Sequence, residues 1–147
     1  MLVKDWMTPN PAVVKPDMTV PEAATLMKKG NFRRLPVVDD GRLVGIVTDR
    51  DLKQAMPSDA TSLSIWELNY LISKLRVGEI MTKDPITVGE GEPLQTAAHR
   101  MIQNRIGGLP VLSGSKLVGI LTVTDVLKAF LHREASLMVG SGGEVKA

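Results

Sequence analysis

The chain has no cysteine among its 147 residues, and aromatic residues make up only 3% of it. The absence of cysteine excludes disulfides, zinc–thiolate sites and cysteine nucleophiles. Two Trp, two Phe and one Tyr are too few for the aromatic platforms on which single-stranded nucleic acids stack. A formal net charge of +2 gives no electrostatic footprint for nucleic acid either. We therefore expect no thiol chemistry and no nucleic-acid partner.

The sequence also lacks long apolar runs. None approaches the roughly 20 residues that a membrane-spanning helix needs, and Met1–Trp6 does not have the pattern of a signal peptide. We therefore expect a cytoplasmic protein that does not associate with membranes. Apolar residues make up 44% of the chain, which is ordinary for a folded protein of about one domain.

The chain contains one sequence pattern twice. Residues 77–129 repeat residues 3–55 without a gap, so Val77 corresponds to Val3 and each later pair keeps that spacing of 74 positions. The matches include Met7-Thr8 with Met81-Thr82, Leu35-Pro36-Val37 with Leu109-Pro110-Val111, and Leu43–Ile46 with Leu117–Ile120. Tandem units of this size are expected to pack on each other, because neither can bury a full apolar face alone. A site is then expected between them.

Each repeat is predicted to fold as β-α-β-β-α, which makes the chain an α/β protein. A short apolar run is followed by turn residues, a helix with an apolar stripe, and two strands joined by a tight turn. A last helix is predicted to begin near Asp49 and near Val123. The predicted divisions are repeat 1 at 1–56, a linker at 57–76, repeat 2 at 77–132 and a flexible tail at 133–147.

The linker is predicted to contain an amphipathic helix. Pro57-Ser58-Asp59 should end the preceding helix, and Ser64 with Glu67 fits a capping box. Apolar residues then follow at helical spacing, namely Leu68, Leu71, Ile72 and Leu75. Two interpretations remain open: the stripe packs on the protein's own core, or it is a dimer or partner face with Trp66 and Tyr70 at its edge.

The sharpest local pattern is Gly45–Asp51, which returns as Gly119–Asp125. In each copy a strand ends, a threonine precedes a helix, and an aspartate follows three positions later. This pattern is typical of a capping box, which is purely structural. It also suits ligand binding, because an ionised carboxylate can accept both hydroxyls of a ribose and glycine allows a close approach to the backbone.

These motifs together resemble the cystathionine-β-synthase (CBS) domain. The resemblance is carried by Met-Thr…Pro near residue 7, Leu-Pro-Val-Val-Asp from residue 35, and Gly-Arg-Leu-Val-Gly-Ile-Val-Thr-x-x-Asp from residue 41. Two such units in register are similar to a tandem CBS pair, or Bateman module, with pseudo-two-fold related repeats. The chain resembles the small stand-alone CBS pairs, including those of acetoin-utilisation type.

The resemblance implies a non-catalytic sensor with no obligatory cofactor. The family binds AMP, ADP, ATP or S-adenosylmethionine in two clefts between the repeats and transmits a conformational change. It also implies that Thr48 and Asp51 hold ribose in one cleft, and Thr122 and Asp125 in the other. The neighbouring Ile46 and Ile120 belong to the same motifs. The opposite repeat supplies the rest: Val14, Lys15, Pro16, Phe32, Arg33 and Arg34 beside Asp125, and Val88, Gly89, Ile106, Gly107 and Gly108 beside Asp51.

The two clefts are not expected to be equivalent. Arg33 and Arg34 in repeat 1 correspond to Gly107 and Gly108 in repeat 2, and arginine suits phosphate because its guanidinium donates two parallel hydrogen bonds. We therefore predict that the Asp125 cleft favours phosphorylated ligands. The other cleft has a neutral wall beside the acidic Glu90 and Glu92, although Arg50 could supply a phosphate contact there.

Other functions find less support in the sequence. His99 and His132 have no carboxylate at ligand spacing, so no metal site is predicted. No catalytic constellation is visible, and we expect no enzyme activity. The resemblance implies a homodimer, and an unidentified protein partner is compatible with it. The main rival is a CBS-fold scaffold that binds no nucleotide; a DNA- or RNA-binding regulator is disfavoured by the weak charge.

Overall fold

The computed structural model describes residues 1–56 and 64–140, without the side chains of residues 139 and 140. In chain order the elements are α1 (Val3–Trp6), β1 (Thr8–Pro9), α2 (Val20–Gly30), β2 (Arg34–Asp39), β3 (Arg42–Thr48), α3 (Asp49–Ala55), α4 (Ile65–Lys74), α5 (Val77–Ile80), β4 (Thr82–Lys83), β5 (Val88–Gly89), α6 (Leu94–Asn104), β6 (Gly108–Ser113), β7 (Lys116–Thr122) and α7 (Val123–Gly140). The predicted α/β class is confirmed.

The described elements form two compact units. The first-repeat unit consists of Pro11–Ile86 and Ser115–Leu117. The second-repeat unit consists of Met1–Asn10, Thr87–Gly114 and Val118–Ala147. These units do not coincide with the sequence repeats, because the N-terminal segment groups with repeat 2 and residues 77–86 group with repeat 1.

Hairpins and the helices that follow them form as the repeats predict. Strands β2 and β3 pair antiparallel, with Arg34 opposite Thr48, and α3 begins at Asp49. In the second repeat, β6 is followed by β7, and α7 begins at Val123. The first predicted strand is shorter than expected. It is reduced to a single parallel bridge between Val14 and Val37 in repeat 1 and to the two residues of β5 in repeat 2.

Helix α2 shows how the local sequence determines where a helix begins and ends. The Thr19 hydroxyl oxygen accepts from the Glu22 N–H at 3.2 Å, and the Glu22 carboxylate accepts from Thr19 in return, which completes a capping box. The helix ends at Gly30, and Asn31 after it adopts the left-handed conformation, with φ 55°. Its buried residues are Val20, Ala23 and Met27.

Each unit has its own apolar core. In the first-repeat unit the buried residues are Val14, Val20, Ala23, Met27, Leu35, Val37, Val47, Leu52 and Val77. In the second-repeat unit they are Val3, Val88, Leu94, Ala97, Met101, Leu109, Val111, Leu121 and Ala129. Val77 and Val3 are fully buried, so each segment that precedes a Met-Thr pair contributes to the core of the unit built mainly from the other repeat.

The Met-Thr segments are exchanged in the same way, because each adds a strand to the sheet of the other repeat. Strand β4 pairs with β3, with Thr82 opposite Ile46 and Lys83 opposite Gly45. Strand β1 pairs with β7 through Thr8 and Ile120. The sheets therefore have the strand orders β2-β3-β4 and β1-β7-β6-β5.

Gly45 has a packing role at this crossing. A Cβ atom at residue 45 would lie 2.9 Å from the Thr82 carbonyl oxygen and in contact with the Met81 sulfur. A Cβ atom at residue 119 would likewise lie 2.9 Å from the Thr8 carbonyl oxygen and in contact with Met7. The sequence suggested that these glycines admit a ligand; in the structure they admit the crossing Met-Thr strand.

The linker helix α4 is confirmed, but its apolar stripe is only partly covered. The Ser64 hydroxyl oxygen accepts from the Glu67 N–H at 3.2 Å, as the predicted cap requires. Of the stripe, Leu68, Ile72 and Leu75 are half-buried, and Leu75 packs against the first-repeat core. Leu71 remains 51% exposed, and Trp66 and Tyr70 are exposed beside it. Pro57-Ser58-Asp59 lies outside the described residues.

The C-terminal helix is longer than the sequence suggested. Residues 133–140 were expected to begin a flexible tail, but they belong to α7. Residues 141–147 of the predicted tail lie outside the described part. Within the described ranges, no helix is both long and apolar enough to cross a membrane.

Replacing Gly45 by alanine should destabilise the first-repeat unit by about 1–3 kcal/mol, the usual cost of forcing a methyl group into a packed interior. The added carbon meets a backbone oxygen as well as a side chain, so rotation of Met81 alone cannot relieve the contact. The urea midpoint of unfolding measures this loss. Gly91→Ala is the matched control, because a Cβ atom there meets nothing within 4 Å. Equal midpoints for both variants would contradict the packing role.

Candidate functional site

The two Thr-x-x-Asp motifs lie where a strand passes into a helix. Thr48 joins β3 to α3, and its hydroxyl oxygen accepts from the Asp51 N–H at 3.1 Å. Oδ2 of Asp51 accepts from the Thr48 N–H at 2.9 Å. Thr122 and Asp125 repeat both bonds between β7 and α7, at 3.3 and 2.9 Å. Both motifs are therefore complete capping boxes.

Capping leaves part of each carboxylate available. Among the described residues, Asp51 and Asp125 accept hydrogen bonds only through Oδ2, and both residues are half-buried. An ionised carboxylate has two oxygens and about four acceptor positions. The structural and functional interpretations of the motif are therefore compatible, since Oδ1 could accept ligand hydroxyls while Oδ2 caps the helix.

Arg33 and Arg34 are brought next to the Thr48 motif within one unit. The β2–β3 register places Arg34 opposite Thr48. The Asp49 N–H donates to the Arg33 carbonyl at 2.8 Å, which fixes the backbone before β2 against the start of α3. Two adjacent cationic residues of the first-repeat unit therefore lie beside the strand end that leads to the capped carboxylate of Asp51.

Arg34 is partly withdrawn from solvent at this position. Burial lowers the pKa of Arg34 from its ordinary value, the nearby Asp49 opposes that shift, and Arg33 lowers the pKa further. Arginine nevertheless stays protonated in proteins. A half-buried guanidinium beside a second cation makes this end of the sheet favourable for an anion.

The other repeat 1 residues that the sequence predicts to contact a ligand are Val14, Lys15, Pro16, Phe32, Ile46 and Arg50. The Val14 N–H donates to the Pro36 carbonyl at 3.0 Å, so Val14 lies alongside β2. Lys15 begins a turn, and the Pro16 carbonyl accepts from the Gly78 N–H at 2.9 Å.

Phe32 is 39% exposed, with its ring against Gly30. Ile46 lies in β3, and the exposed Arg50 lies in the first turn of α3.

The second-repeat unit has the same backbone frame without the charges. The Val123 N–H donates to the Gly107 carbonyl at 3.1 Å, which matches the bond between Asp49 and Arg33. Ile106, Gly107 and Gly108 supply no cationic side chain there, and Thr124 stands where repeat 1 has Arg50. Ile120 is buried in β7, and Val88 pairs with Val111.

The negative charge of Glu92 is compensated by a neighbouring cation, which the sequence did not indicate. Arg100 forms a bidentate ion pair with Glu92, with both N–O distances at 2.8 Å. Arg100 also donates to the Thr87 carbonyl. The Glu92 carboxylate accepts from the Gly89 N–H at 2.6 Å as well. The hydrogen bond from Arg100, helped by the one from Gly89, lowers the pKa of Glu92. Of the two acidic residues expected beside the neutral wall, Glu92 is therefore held in an ion pair.

Sequence reasoning missed Arg100, which belongs to no motif and lies eight residues from its partner. It placed Asp49 only as the start of a helix, because Asp49 occupies a variable position of the Thr-x-x-Asp motif. Of the two histidines, His132 contacts Trp6 in a tilted arrangement with ring centroids 5.4 Å apart, and His99 is exposed. Among the described residues, no group of three or more His, Asp or Glu is arranged to hold a metal. The predicted cross-pairing of clefts joins residues of different units and stays a prediction.

Replacing Arg100 by leucine, the residue at the matching position 26, should lower stability at neutral pH by about 0.2–1 kcal/mol, as for other exposed ion pairs. The folded-state pKa of Glu92 lies below its ordinary value of 4.5, so the pair stabilises above that pH. The difference from the natural chain should vanish as the pH falls through the folded pKa. Urea unfolding from pH 7 to pH 3 measures it, and a difference independent of pH would contradict this account.

Residues 3–58 and 77–132 both match the CBS domain. The CBS domain pair of protein MJ0100, solved with 5′-methylthioadenosine and S-adenosyl-L-methionine, is 32% identical, with a TM-score of 0.75 over 90% of this chain and 98% of that one. CBSX2 of Arabidopsis thaliana, solved in complex with AMP, is 38% identical, with a TM-score of 0.74 over the same shares.

A proposed acetoin utilization protein (AcuB) from Vibrio cholerae is 29% identical, with a TM-score of 0.73 over 100% of this chain and 98% of that one. The chain spans only 47% and 23% of the lengths of two curated relatives from Methanocaldococcus jannaschii, to which it is 38% and 34% identical. The resemblance seen in the sequence is confirmed. The chain belongs to the CBS-domain family and is a tandem CBS pair.

Proposed function

We propose that this protein is a non-catalytic regulatory module that binds adenosine-containing ligands, either an adenine nucleotide or an S-adenosylmethionine-like molecule. One observation carries the proposal: both strand–helix junctions hold an aspartate that caps its helix through Oδ2 and leaves Oδ1 without a partner among the described residues. The ligands of the CBSX2 and MJ0100 structures support the choice of adenosine compounds.

Asp51 and Asp125 are assigned to the ribose hydroxyls, with Thr48 and Thr122 beside them. A carboxylate suits a vicinal diol because both hydroxyls can donate to it. The ligand needs no cofactor and undergoes no reaction. Its effect is a shift between conformations, which requires that it bind one of them more tightly than the other. A homodimer and a protein target belong to this proposal.

The two sites should differ in their preference for phosphate. Arg33 and Arg34 stand beside Thr48 in the first-repeat unit, whereas the matching backbone beside Thr122 is uncharged. This arrangement supports a phosphorylated ligand at Asp51 and a less charged adenosyl ligand at Asp125. The family resemblance assigns the arginines to the Asp125 cleft instead, and the two assignments can be separated by experiment.

AMP at about 100 times its dissociation constant should stabilise the protein by about 2.7 kcal/mol and raise the melting temperature by several degrees. The same scan with ADP, ATP, S-adenosylmethionine and 5′-methylthioadenosine ranks the ligands. Asp51→Ala and Asp125→Ala should each abolish binding at one site and lower the stoichiometry in calorimetry.

Glu22→Ala is the matched control, because Glu22 completes a capping box of the same chemistry in α2, outside the proposed sites. It should lower the melting temperature without changing the shift caused by AMP. Absence of a shift with every adenosyl ligand would favour the rival function, a CBS-fold scaffold.

Replacing both Arg33 and Arg34 by alanine should weaken AMP binding at least about tenfold, since a hydrogen bond to a charged group contributes roughly 1.5–3 kcal/mol. Adenosine should bind as before, because it has no phosphate. Calorimetry with both ligands provides the measurement.

A double-mutant cycle then assigns the arginines to a site. If they act at the Asp51 site, removing them from an Asp51→Ala protein should cause no further loss of AMP affinity, whereas their effect should persist with Asp125→Ala. The reverse pattern would restore the assignment to the Asp125 cleft. An unchanged AMP affinity in the arginine double variant would remove the phosphate role altogether.

A further inference from the structure

The first-repeat unit contains a groove between α2 and α3, which we call the α2–α3 groove. Its volume is about 420 Å³, and pockets that hold small molecules have volumes of about 300–1,000 Å³. Its lining combines apolar side chains with charged ones. The groove therefore offers both kinds of contact that a small-molecule site uses.

The interior of the α2–α3 groove is apolar. Met27 of α2 and Leu52 of α3 belong to the lining, and each is only 5% exposed. Phe32 and Met56 also line the groove, and both are 39% exposed, so apolar surface is accessible to a ligand. Methionine side chains are flexible and adapt to ligands of different shapes. The groove can therefore cover the apolar body of a small molecule.

Three cations stand beside this apolar lining. Lys28, Arg33 and Lys53 line the groove and are exposed, and among the described residues none of them forms an ion pair with a carboxylate. Asp49 is the one acidic residue of the lining, and its Oδ1 accepts from the Arg50 N–H at 2.9 Å. The excess of positive charge around an apolar groove favours an anion there.

The second repeat shows that folding does not require these charges. All four charged lining positions are uncharged there, and the pairs are Lys28 with Ile102, Arg33 with Gly107, Asp49 with Val123, and Lys53 with Leu127. The apolar positions are kept, since Met27 corresponds to Met101 and Leu52 to Val126. Both repeats nevertheless form the same pair of helices. The apolar lining therefore serves the fold, whereas the cations are a separate feature of the first repeat.

We propose that the α2–α3 groove binds a small organic anion with an apolar body, of the class of medium-chain or aromatic carboxylates. The apolar body contacts Met27, Phe32 and Leu52, and the carboxylate accepts hydrogen bonds from Lys28 and Lys53. Apolar walls with a few charged groups are the usual composition of such a site, in which the charged groups fix the orientation of the ligand. Hydrogen bonds between ionised groups are about twice as strong as neutral ones.

Methyl NMR with octanoate tests the location of the site. The chain has eight methionines, and isotopic labelling of their methyl groups makes each one a probe. The signals of Met27 and Met56 should shift and saturate as octanoate is added, whereas that of Met101, the counterpart of Met27, should stay in place. Absence of saturable shifts at Met27 and Met56, or equal shifts at Met101, would overturn the site.

The double variant Lys28→Ile with Lys53→Leu tests the charges, because it gives the groove the residues of the second repeat. It should bind octanoate at least about tenfold more weakly, since both charge-assisted hydrogen bonds are lost. Lys29→Gln with Lys116→Gln is the matched control: it removes two cations from exposed positions outside the groove and should leave octanoate affinity unchanged. Circular dichroism checks that both variants fold.

Octanol provides the matched ligand, because it has the same chain length without the charge. It should bind at least about tenfold more weakly than octanoate to the natural chain and equally to both double variants. Equal octanoate affinity in the two double variants, or equal binding of octanol and octanoate by the natural chain, would overturn the anion site. Neither Lys28 nor Lys53 belongs to the proposed nucleotide sites, so the thermal shift with AMP on the same variants tests that function separately.

Discussion

The crossing of a Met-Thr strand over a glycine is the contact on which each proposed ligand site depends. At Gly45 and at Gly119, the absence of a side chain lets a segment from elsewhere in the chain lie against the strand that leads to the threonine of the Thr-x-x-Asp motif. Strand β3 then carries Thr48, and β7 carries Thr122. A methyl group at either glycine would press on the crossing segment, so the packing at these positions also bears on the proposed site at the strand end.

The capping role of both aspartates is compatible with the proposed ligand-binding role, although the two are usually considered as alternatives. A capping box fixes the carboxylate through one oxygen and holds it at the start of a helix. The same restraint prepares the other oxygen for a ligand, since a side chain already held in place loses little conformational freedom on binding. The structural interpretation of Thr-x-x-Asp therefore supports the functional one.

The two repeats share a backbone and differ in charge. The bond from Asp49 to Arg33 has its counterpart between Val123 and Gly107, although the side chains differ entirely. At the strand ends, the first repeat has the basic Arg33 and Arg34, whereas the second has the uncharged Gly107 and Gly108. On the helices that follow, the exposed Arg50 and Lys53 of the first repeat correspond to the uncharged Thr124 and Leu127 of the second. Duplication supplied two equal frames, and substitution at their surfaces gave each a different chemistry.

The sequence alone determined the repeat, the hairpins, the helix starts at Asp49 and Val123, and both capping boxes, because these depend on residues close together in the chain. The tertiary structure alone decided the exchange of the Met-Thr segments, the ion pair of Glu92 with Arg100, and the placement of Arg34 opposite Thr48. Each of these joins residues whose meeting is set by strand register or by packing around a glycine. The extent of α7 is a further difference, since the sequence predicts a flexible tail from residue 133 whereas the helix continues to Gly140.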